Sequence, residues 1–127
     1  MRILTVTKSA EFKKISRKND KFHSKTLLLL TTPTSSFYFQ DQTTGKNAEE
    51  FCRFGYTVSK KVGNAVARNL AKRRLREAVR ELAPKYSKHQ KDYIIIARKE
   101  IADADFEKIC GDLKFCLKRI HNNKNKK

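Results

Sequence analysis

Arginine and lysine recur at helical spacing in the middle of the chain, a pattern that favours binding of a polyanion. Between Ser59 and Arg80 there are eight basic residues and one acid. Arg68, Lys72, Arg76 and Arg80 are successive i, i+4 neighbours, so a free helix carries three like-charge pairs, each costing about 0.2–0.5 kcal/mol. A solvated face usually interleaves opposite charges, whereas a ladder of phosphates turns each cation into a contact. The pattern predicts a phosphate-binding face, with a merely solvated face as the alternative.

The segment before this helix extends the same electropositive surface. Lys60 and Lys61 stand just ahead of the predicted helix N-terminus, where backbone N–H groups are themselves suited to phosphate. Such a surface binds a nucleic-acid backbone without reading its sequence.

The overall charge supports a nucleic acid as the partner. Thirty Lys and Arg against thirteen Asp and Glu give a net charge of +17 on 127 residues. Solubility of a small domain needs no more than about eight net charges. A compact chain keeps a larger excess when a polyanion neutralises it.

Other chemistries have little support in the sequence. A metal-dependent nuclease needs clustered carboxylates, but the acids here are scattered along the chain. The cysteines form no CxxC pair and have no histidine at zinc-ligand spacing, and the histidines lie far apart. We therefore predict no catalytic residue, no metal site and no disulfide. The residues concerned are Cys52, Cys110, Cys116, His23, His89 and His121.

The chain shows no targeting or membrane segment. Its start, from Met1 to Leu4, lacks the apolar stretch of a signal peptide. Apolar runs such as Leu27 to Leu30 are far too short to span a bilayer. We expect a cytoplasmic protein with neither a membrane partner nor a small-molecule substrate.

The elements that must position the basic residues can be outlined from capping and periodicity. Asn64 is a suitable N-cap, Gly63 allows the preceding turn and Pro84 ends the pattern, which predicts a helix over residues 65–82. Short β-branched and apolar runs predict strands, and three- and four-residue apolar spacing predicts helices. We predict a first helix over 9–18, strands over 26–32, 54–59 and 92–98, a candidate partner strand over 36–40 and a loop over 41–50. A final helix begins at Asp103 or Asp105. It is predicted to bury Phe106, Ile109, Leu113, Cys116 and Ile120.

The order of these elements predicts an α+β fold. One domain over residues 1–120 would pack helices against a small sheet, and residues 121–127 would form a disordered basic tail. A crossover between parallel strands is ordinarily right-handed.

A long motif resembles the bacterial ribonuclease P protein family. It runs from Gly55 to Val66 as GYTVSKKVGNAV and continues with Arg68-Asn69, Lys72-Arg73 and Leu75-Arg76-Glu77. The resemblance implies a ribosomal-protein-like α/β sandwich with a small, mostly antiparallel sheet. It also implies an unusual left-handed βαβ crossover around the basic helix.

The resemblance further implies a role in removing the 5′ leader from precursor tRNA. The partners would be the ribonuclease P RNA subunit, which performs hydrolysis with bound magnesium, and the precursor tRNA, whose leader lies in a cleft between the sheet and the first helix. The protein alone would hold no cofactor. The implied RNA-binding residues are Lys60, Lys61, Arg68, Asn69, Lys72, Arg73, Arg76 and Arg80, and the implied leader-cleft residues are Phe12, Phe22, Ser59, Arg98 and Lys99.

Two positions depart from the family's pattern. The motif usually reads Arg-Asn-Arg, but here its third residue is Leu70, so one cation is missing. Leu70 lies beside Val66 on the helical wheel, away from the apolar arc, so we expect it outside the main core. Ser16 stands where the family often has a second aromatic after Phe12. The rival hypotheses are a basic binding protein unrelated to any catalytic RNA, such as a ribosomal or DNA-coating protein, and a self-sufficient nuclease.

Overall fold

A five-stranded sheet and two long helices make up the framework that carries the basic residues. The computed structural model describes residues 2–5, 20–33, 51–87 and 91–122. The predicted helix over 9–18 with Phe12, the candidate strand over 36–40, the loop over 41–50 and residues 123–127 lie outside those ranges. In chain order the elements are β1 (Arg2–Thr5), β2 (Asp20–His23), β3 (Leu27–Pro33), β4 (Phe51–Thr57), α1 (Ala65–Tyr86), β5 (Lys91–Ala97), a 3₁₀ helix (Lys99–Asp103) and α2 (Phe106–Asn122).

The strands are arranged in the order β1-β4-β5-β3-β2 in a mixed sheet. β4 is parallel to β1 and to β5, whereas β3 is antiparallel to β5 and to β2. The expectation of a mostly antiparallel sheet is therefore corrected, since the two kinds of pairing are equally frequent among the described strands. The additional parallel pairing comes from β1, whose four residues are too few to show a strand period in the sequence. The α1 helix connects the parallel neighbours β4 and β5, and the left-handed sense of that crossover stays a prediction.

The main core lies between one face of the sheet and the two helices. Side chains alternate between the faces of a strand, and Phe54 and Tyr93 from neighbouring strands are fully buried on this face. Their rings stack with centroids 4.7 Å apart. Leu75 and Val79 of α1 pack onto the same core. The apolar stripe predicted for α2 is confirmed, because Ile109, Leu113, Cys116 and Ile120 are buried and Phe106 packs at the edge.

The opposite face of the sheet carries a smaller apolar cluster and a buried ion pair. Leu30 and Ile94 are buried there. Further along the same face, Arg53 donates from Nε to Oδ1 of Asp92 at 2.8 Å and from Nη2 to Oδ2 at 2.5 Å. Both side chains are only 4% exposed. The pair ties β4 to β5 near the start of β5, where the strand register sets the two residues opposite each other.

The start of α1 agrees with the sequence prediction, but its end does not. The side chain of Asn64 accepts a hydrogen bond from the Ala67 N–H at 2.9 Å, which confirms the cap. The helix passes through Pro84 and ends at Tyr86. A proline in the last turn removes only one backbone hydrogen bond, and the Ser87 N–H and hydroxyl both donate to the Ala83 carbonyl to finish the helix.

The final helix begins and ends at identifiable residues. Asp105 is the N-terminal cap, because its Oδ1 accepts from the Lys108 N–H at 2.8 Å. Asp103, the other candidate, ends the 3₁₀ helix instead. Since α2 extends to Asn122, His121 and Asn122 belong to the helix and not to the predicted tail.

Candidate nucleic-acid interface

The long helix α1 buries one side and presents its cations on the other. Ala71, Leu75, Ala78, Val79 and Ala83 are buried. The separation of an apolar arc from a basic one, predicted from the sequence, is confirmed for the helix interior. We use the name basic face for the candidate RNA-binding set: Arg73, Arg76, Arg80 and Asn69 are exposed on α1, Arg68 and Lys72 are partly buried there, and Lys60 and Lys61 are exposed in the preceding turn.

The cations of the basic face form no ion pair in the part of the chain that the structure describes, although Glu77 lies four residues after Arg73 on the same helix. Among the described residues, none of the seven Lys and Arg side chains in the set lies within 4 Å of an acid. The Nε of Arg68 is buried without a hydrogen-bond partner. By contrast, Arg74 of the same helix donates to the Ala104 carbonyl at 3.0 Å and so joins α1 to the segment before α2. The unpaired cations are thus a feature of one side of α1.

A tight turn places Lys60 and Lys61 at the N-terminus of α1. The Val62 N–H donates to the Ser59 carbonyl at 3.1 Å, and the Lys61 N–H donates to the Ser59 hydroxyl at 3.3 Å. Val62 is buried and anchors the turn, whereas both lysines are exposed. Gly63 has φ of +155°, and a Cβ there would lie 2.9 Å from the Ala67 Cβ. The close approach explains why glycine precedes the helix.

Tyr56 on β4 lies beneath the basic face. Burial raises the pKa of its phenol to about 12, and the positive charges of Arg76 and Arg80 oppose part of that rise. The phenol is therefore neutral at physiological pH. This phenol is a polar group of the sheet that lies close enough to α1 for the charges of Arg76 and Arg80 to affect its pKa.

A second group of candidate residues meets at the end of β4 and β5. The parallel register pairs Thr57 with Ile96, so Ser59 and Arg98, each two residues further on, lie at the same edge of the sheet. Arg98 and Lys99 are exposed. The Arg98 side chain is 3.9 Å from Glu100, an exposed contact of a kind that contributes little.

A buried carboxylate that sequence reasoning missed supports this edge. Asp112 of α2 accepts from the Thr26 N–H at 3.1 Å and from its hydroxyl at 2.5 Å. The Thr26 carbonyl in turn accepts from the Arg98 N–H at 2.9 Å. No spacing in the sequence links residues 86 positions apart, so this network could not be predicted. A cavity of about 280 Å³ opens beside it, lined by Lys25, Thr26, Glu100, Asp103, Ala104 and Lys108.

The aromatic candidates do not join Ser59, Arg98 and Lys99 in the described structure. Phe22 pairs with Leu29 across β2 and β3, is partly buried and packs against the main core. Its ring therefore serves packing beneath α2. Phe12 lies outside the described residues.

Leu70 occupies the border between the two sides of α1. It is partly buried, yet it does not belong to the main core, as the helical wheel indicates. Its neighbour Val66 is 77% exposed. Leu70, where the chain departs from the family's motif, is therefore an apolar residue near the protein surface.

The Cys, His, Asp and Glu side chains of the described ranges show no arrangement typical of a metal centre. Within the described ranges, no cluster of three or more His, Cys, Asp or Glu side chains could hold a metal ion. Cys52, Cys110 and Cys116 are free thiols, and burial is the main cause that raises the pKa of each. Neither described helix is long and apolar enough to cross a membrane.

A mixed sheet covered by two helices, one of them with an unpaired cationic face, defines a class of small basic α+β proteins suited to polyanions. Comparison with known proteins narrows that class. The family model described as Ribonuclease P matches residues 2–121. A ribonuclease P protein component from Paramagnetospirillum magneticum is 36% identical over 119 residues, which cover 94% of this chain and 84% of that protein. The chain belongs to the ribonuclease P protein family.

Solved structures agree with the family assignment. The RNase P protein of Staphylococcus aureus superposes with a TM-score of 0.70 at 29% identity, over 90% of this chain and 92% of that one. The RNase P protein of Thermotoga maritima superposes with a TM-score of 0.72 at 23% identity, over 91% and 96%. At 23% identity, the superposition on the Thermotoga maritima protein shows similarity of fold alone.

Proposed function

We propose that this chain is the protein subunit of a ribonuclease P ribonucleoprotein and promotes removal of the 5′ leader from precursor tRNA. Family membership supports this role. The structural observation that carries the RNA-binding part of this role is the basic face, whose seven Lys and Arg side chains have no acid within 4 Å in the described structure. Such a face gains free energy when phosphates replace the counterions around it.

The chemistry is divided between protein and RNA in this proposal. The RNA subunit performs hydrolysis with bound magnesium, as the family resemblance implies. The residues of this chain bind and orient: the basic face holds the RNA subunit, and Ser59, Arg98 and Lys99 contact the leader at the sheet edge. Asp112 and Thr26 keep that edge in place through the hydrogen bond to the Arg98 N–H.

Reconstitution with ribonuclease P RNA tests the role directly. The complex should cleave a precursor tRNA at the 5′ end of the mature sequence, and the protein without RNA should leave the same substrate intact. Cleavage by the protein alone would favour the self-sufficient nuclease. Sequencing the RNA that copurifies with the protein addresses the other rival. A single structured RNA supports the proposal, whereas a mixture of ribosomal RNA or DNA supports a general basic binding protein.

The leader contact has its own test. Arg98→Ala combined with Lys99→Ala should weaken binding of precursor tRNA to the reconstituted complex more than binding of mature tRNA, because only the precursor carries a leader. Arg80→Ala is the matched control, since it removes an exposed cation of the basic face and should affect precursor and mature tRNA alike. Equal losses for precursor and mature tRNA would remove Arg98 and Lys99 from the leader site.

A further inference from the structure

The helical layer carries a second cationic surface, separate from the basic face, in which aromatic rings are interleaved with cations. Phe115 of α2 is one of two large apolar side chains that remain exposed among the described residues, at 47%. The guanidinium of Arg119 lies over its ring at 5.5 Å from the centroid. Tyr86, at the end of α1, has the Nζ of Lys114 at 5.5 Å and that of Lys118 at 5.9 Å from its ring centroid. With the exposed Lys85, these residues form what we call the aromatic-lysine patch.

The patch contains no acid that would explain its charges as internal ion pairs. In the part of the chain that the structure describes, Lys114, Lys118 and Arg119 have no carboxylate within 4 Å. Lys114 and Lys118 are i, i+4 neighbours, an arrangement that destabilises a free helix. Among the described residues, this half of α2 therefore carries cations without acid partners, as the basic face of α1 does.

Acidic residues separate the two surfaces. Glu77 and Glu81 are exposed on α1. Glu81 lies near Cys110 of α2, because its charge adds to burial in raising the pKa of that thiol. A phosphate chain that runs along the basic face would meet these carboxylates before it reached α2. The aromatic-lysine patch is thus a distinct surface and not the rim of the basic face.

The overall charge leaves room for a second contact with a polyanion. The basic face accounts for seven cations, whereas the net charge is +17. More than half of the net positive charge therefore lies outside the basic face. A protein partner fits the patch poorly, because lysine is depleted at protein interfaces.

We propose that the aromatic-lysine patch binds an unpaired segment of RNA, with a base stacked on Phe115 and phosphates held by Lys114, Lys118 and Arg119. Exposed aromatics interleaved with cations are the usual platform for single strands. The bases of an A-form duplex are stacked inside it and cannot reach a flat surface ring. The aromatic component of the patch therefore selects single-stranded over double-stranded RNA. The proposal does not depend on the assignments made for the basic face.

Fluorescence anisotropy with the full-length protein tests the patch, using a ten-nucleotide oligouridine and a blunt RNA duplex of ten base pairs as probes. Phe115→Ala should weaken oligouridine binding at least about fivefold, the lower limit for loss of one stacked base. It should change duplex binding less than twofold and leave the salt slope unaltered. Phe115→Tyr keeps the ring and should bind as the wild type does. Lys114→Gln with Lys118→Gln should reduce the log–log salt slope for oligouridine by about 1.4, whereas Lys108→Gln should not change it.

Three outcomes would overturn the proposal. One is oligouridine binding that survives Phe115→Ala unchanged, and another is an equal loss for oligouridine and duplex. The third is a change in oligomeric state on sedimentation with unchanged RNA affinity, which would make Phe115 a contact between proteins. None of these bears on the proposed function, which is tested separately: Arg73→Ala with Arg76→Ala should weaken binding of ribonuclease P RNA whatever happens at Phe115.

Discussion

Replacing Arg76 with alanine should have opposite effects on the stability of the free protein and on its affinity for RNA. Arg76 is exposed in the interior of α1, with Lys72 four residues before it and Arg80 four residues after it. Removing its charge abolishes two like-charge pairs, each worth about 0.2–0.5 kcal/mol. Arginine and alanine have similar helix propensities. The free protein should therefore gain about 0.4–1 kcal/mol, which raises Tm by about 1–5 °C for a chain of this size.

The RNA complex should respond in the other direction. Each lost phosphate contact reduces the log–log salt slope by about 0.7 for single strands and about 0.9 for duplexes. Because this contribution vanishes on extrapolation to 1 M salt, the same values give an affinity loss of about five- to eightfold at 0.1 M. The seven cations of the basic face together predict a wild-type slope of about −5 to −6.

Two measurements on one variant check this reasoning. Calorimetry or circular dichroism gives Tm for the free protein, and a salt titration of binding to ribonuclease P RNA gives affinity and slope. Lys108→Ala removes an equal charge from outside the basic face and should leave the slope as in the wild type. If Arg76→Ala lowered both stability and affinity, Arg76 would be a structural residue. An unchanged slope with reduced affinity would mean that its contact is not with phosphate.

The packing and capping contacts give further predictions. Arg53→Met leaves the buried Asp92 carboxylate without its guanidinium and should lower the free energy of unfolding, measured in urea, by about 3–5 kcal/mol. The double variant Arg53→Met with Asp92→Leu should recover most of that loss. A cost below about 1 kcal/mol for the single variant would contradict the burial of the pair. Asn64→Ala removes the cap of α1 and should cost about 1 kcal/mol, measured by thermal unfolding against Asn64→Ser, which can still cap. Because burial raises the pKa of Tyr56 from 10 to about 12, its neutral form stabilises the fold below pH 10, and this contribution should be lost as pH rises from 10 to 12. Urea unfolding of the wild type and Tyr56→Phe at pH 10 and at pH 12 tests that sign, and a stability loss of equal size in both proteins would refute it.

Local signals were enough to predict the elements that carry the site. The start of α1 is predicted by Asn64 and Gly63, and its two sides are predicted by the 3.6-residue period of apolar and basic residues. The same period predicts the apolar stripe of α2. These features depend on residues close together in the chain, so no knowledge of tertiary contacts was needed.

Features that depend on distant pairing could not be predicted. β1 has only four residues, and its place beside β4 is fixed by pairing across more than forty positions. The pattern indicates a helix that stops before Pro84, but the hydrogen bonds of Ser87 to the Ala83 carbonyl sustain one more turn. The buried contact of Asp112 with Thr26 depends on how α2 lies across the sheet. Phe22 is a candidate for stacking on RNA by sequence, but its ring packs against the core.

The motif and the electrostatics contribute different parts of the argument about function. Charge and spacing identify a phosphate-binding face but are equally compatible with DNA, ribosomal RNA or ribonuclease P RNA. The choice of partner depends on the family to which the chain belongs. Leu70 shows why both are needed, since the family's pattern would place a cation there, whereas the structure has a partly buried apolar side chain outside the main core. The basic face of this chain is therefore one charge smaller than its family implies, while Lys114, Lys118 and Arg119 on α2 add charge at a surface that the motif does not include. The log–log salt slope of binding should be compared for structured and single-stranded RNA, because it counts phosphate contacts. Only single-stranded RNA can place a base on the exposed ring of the aromatic-lysine patch. The difference between the two slopes therefore gives the share of the phosphate contacts that this patch contributes.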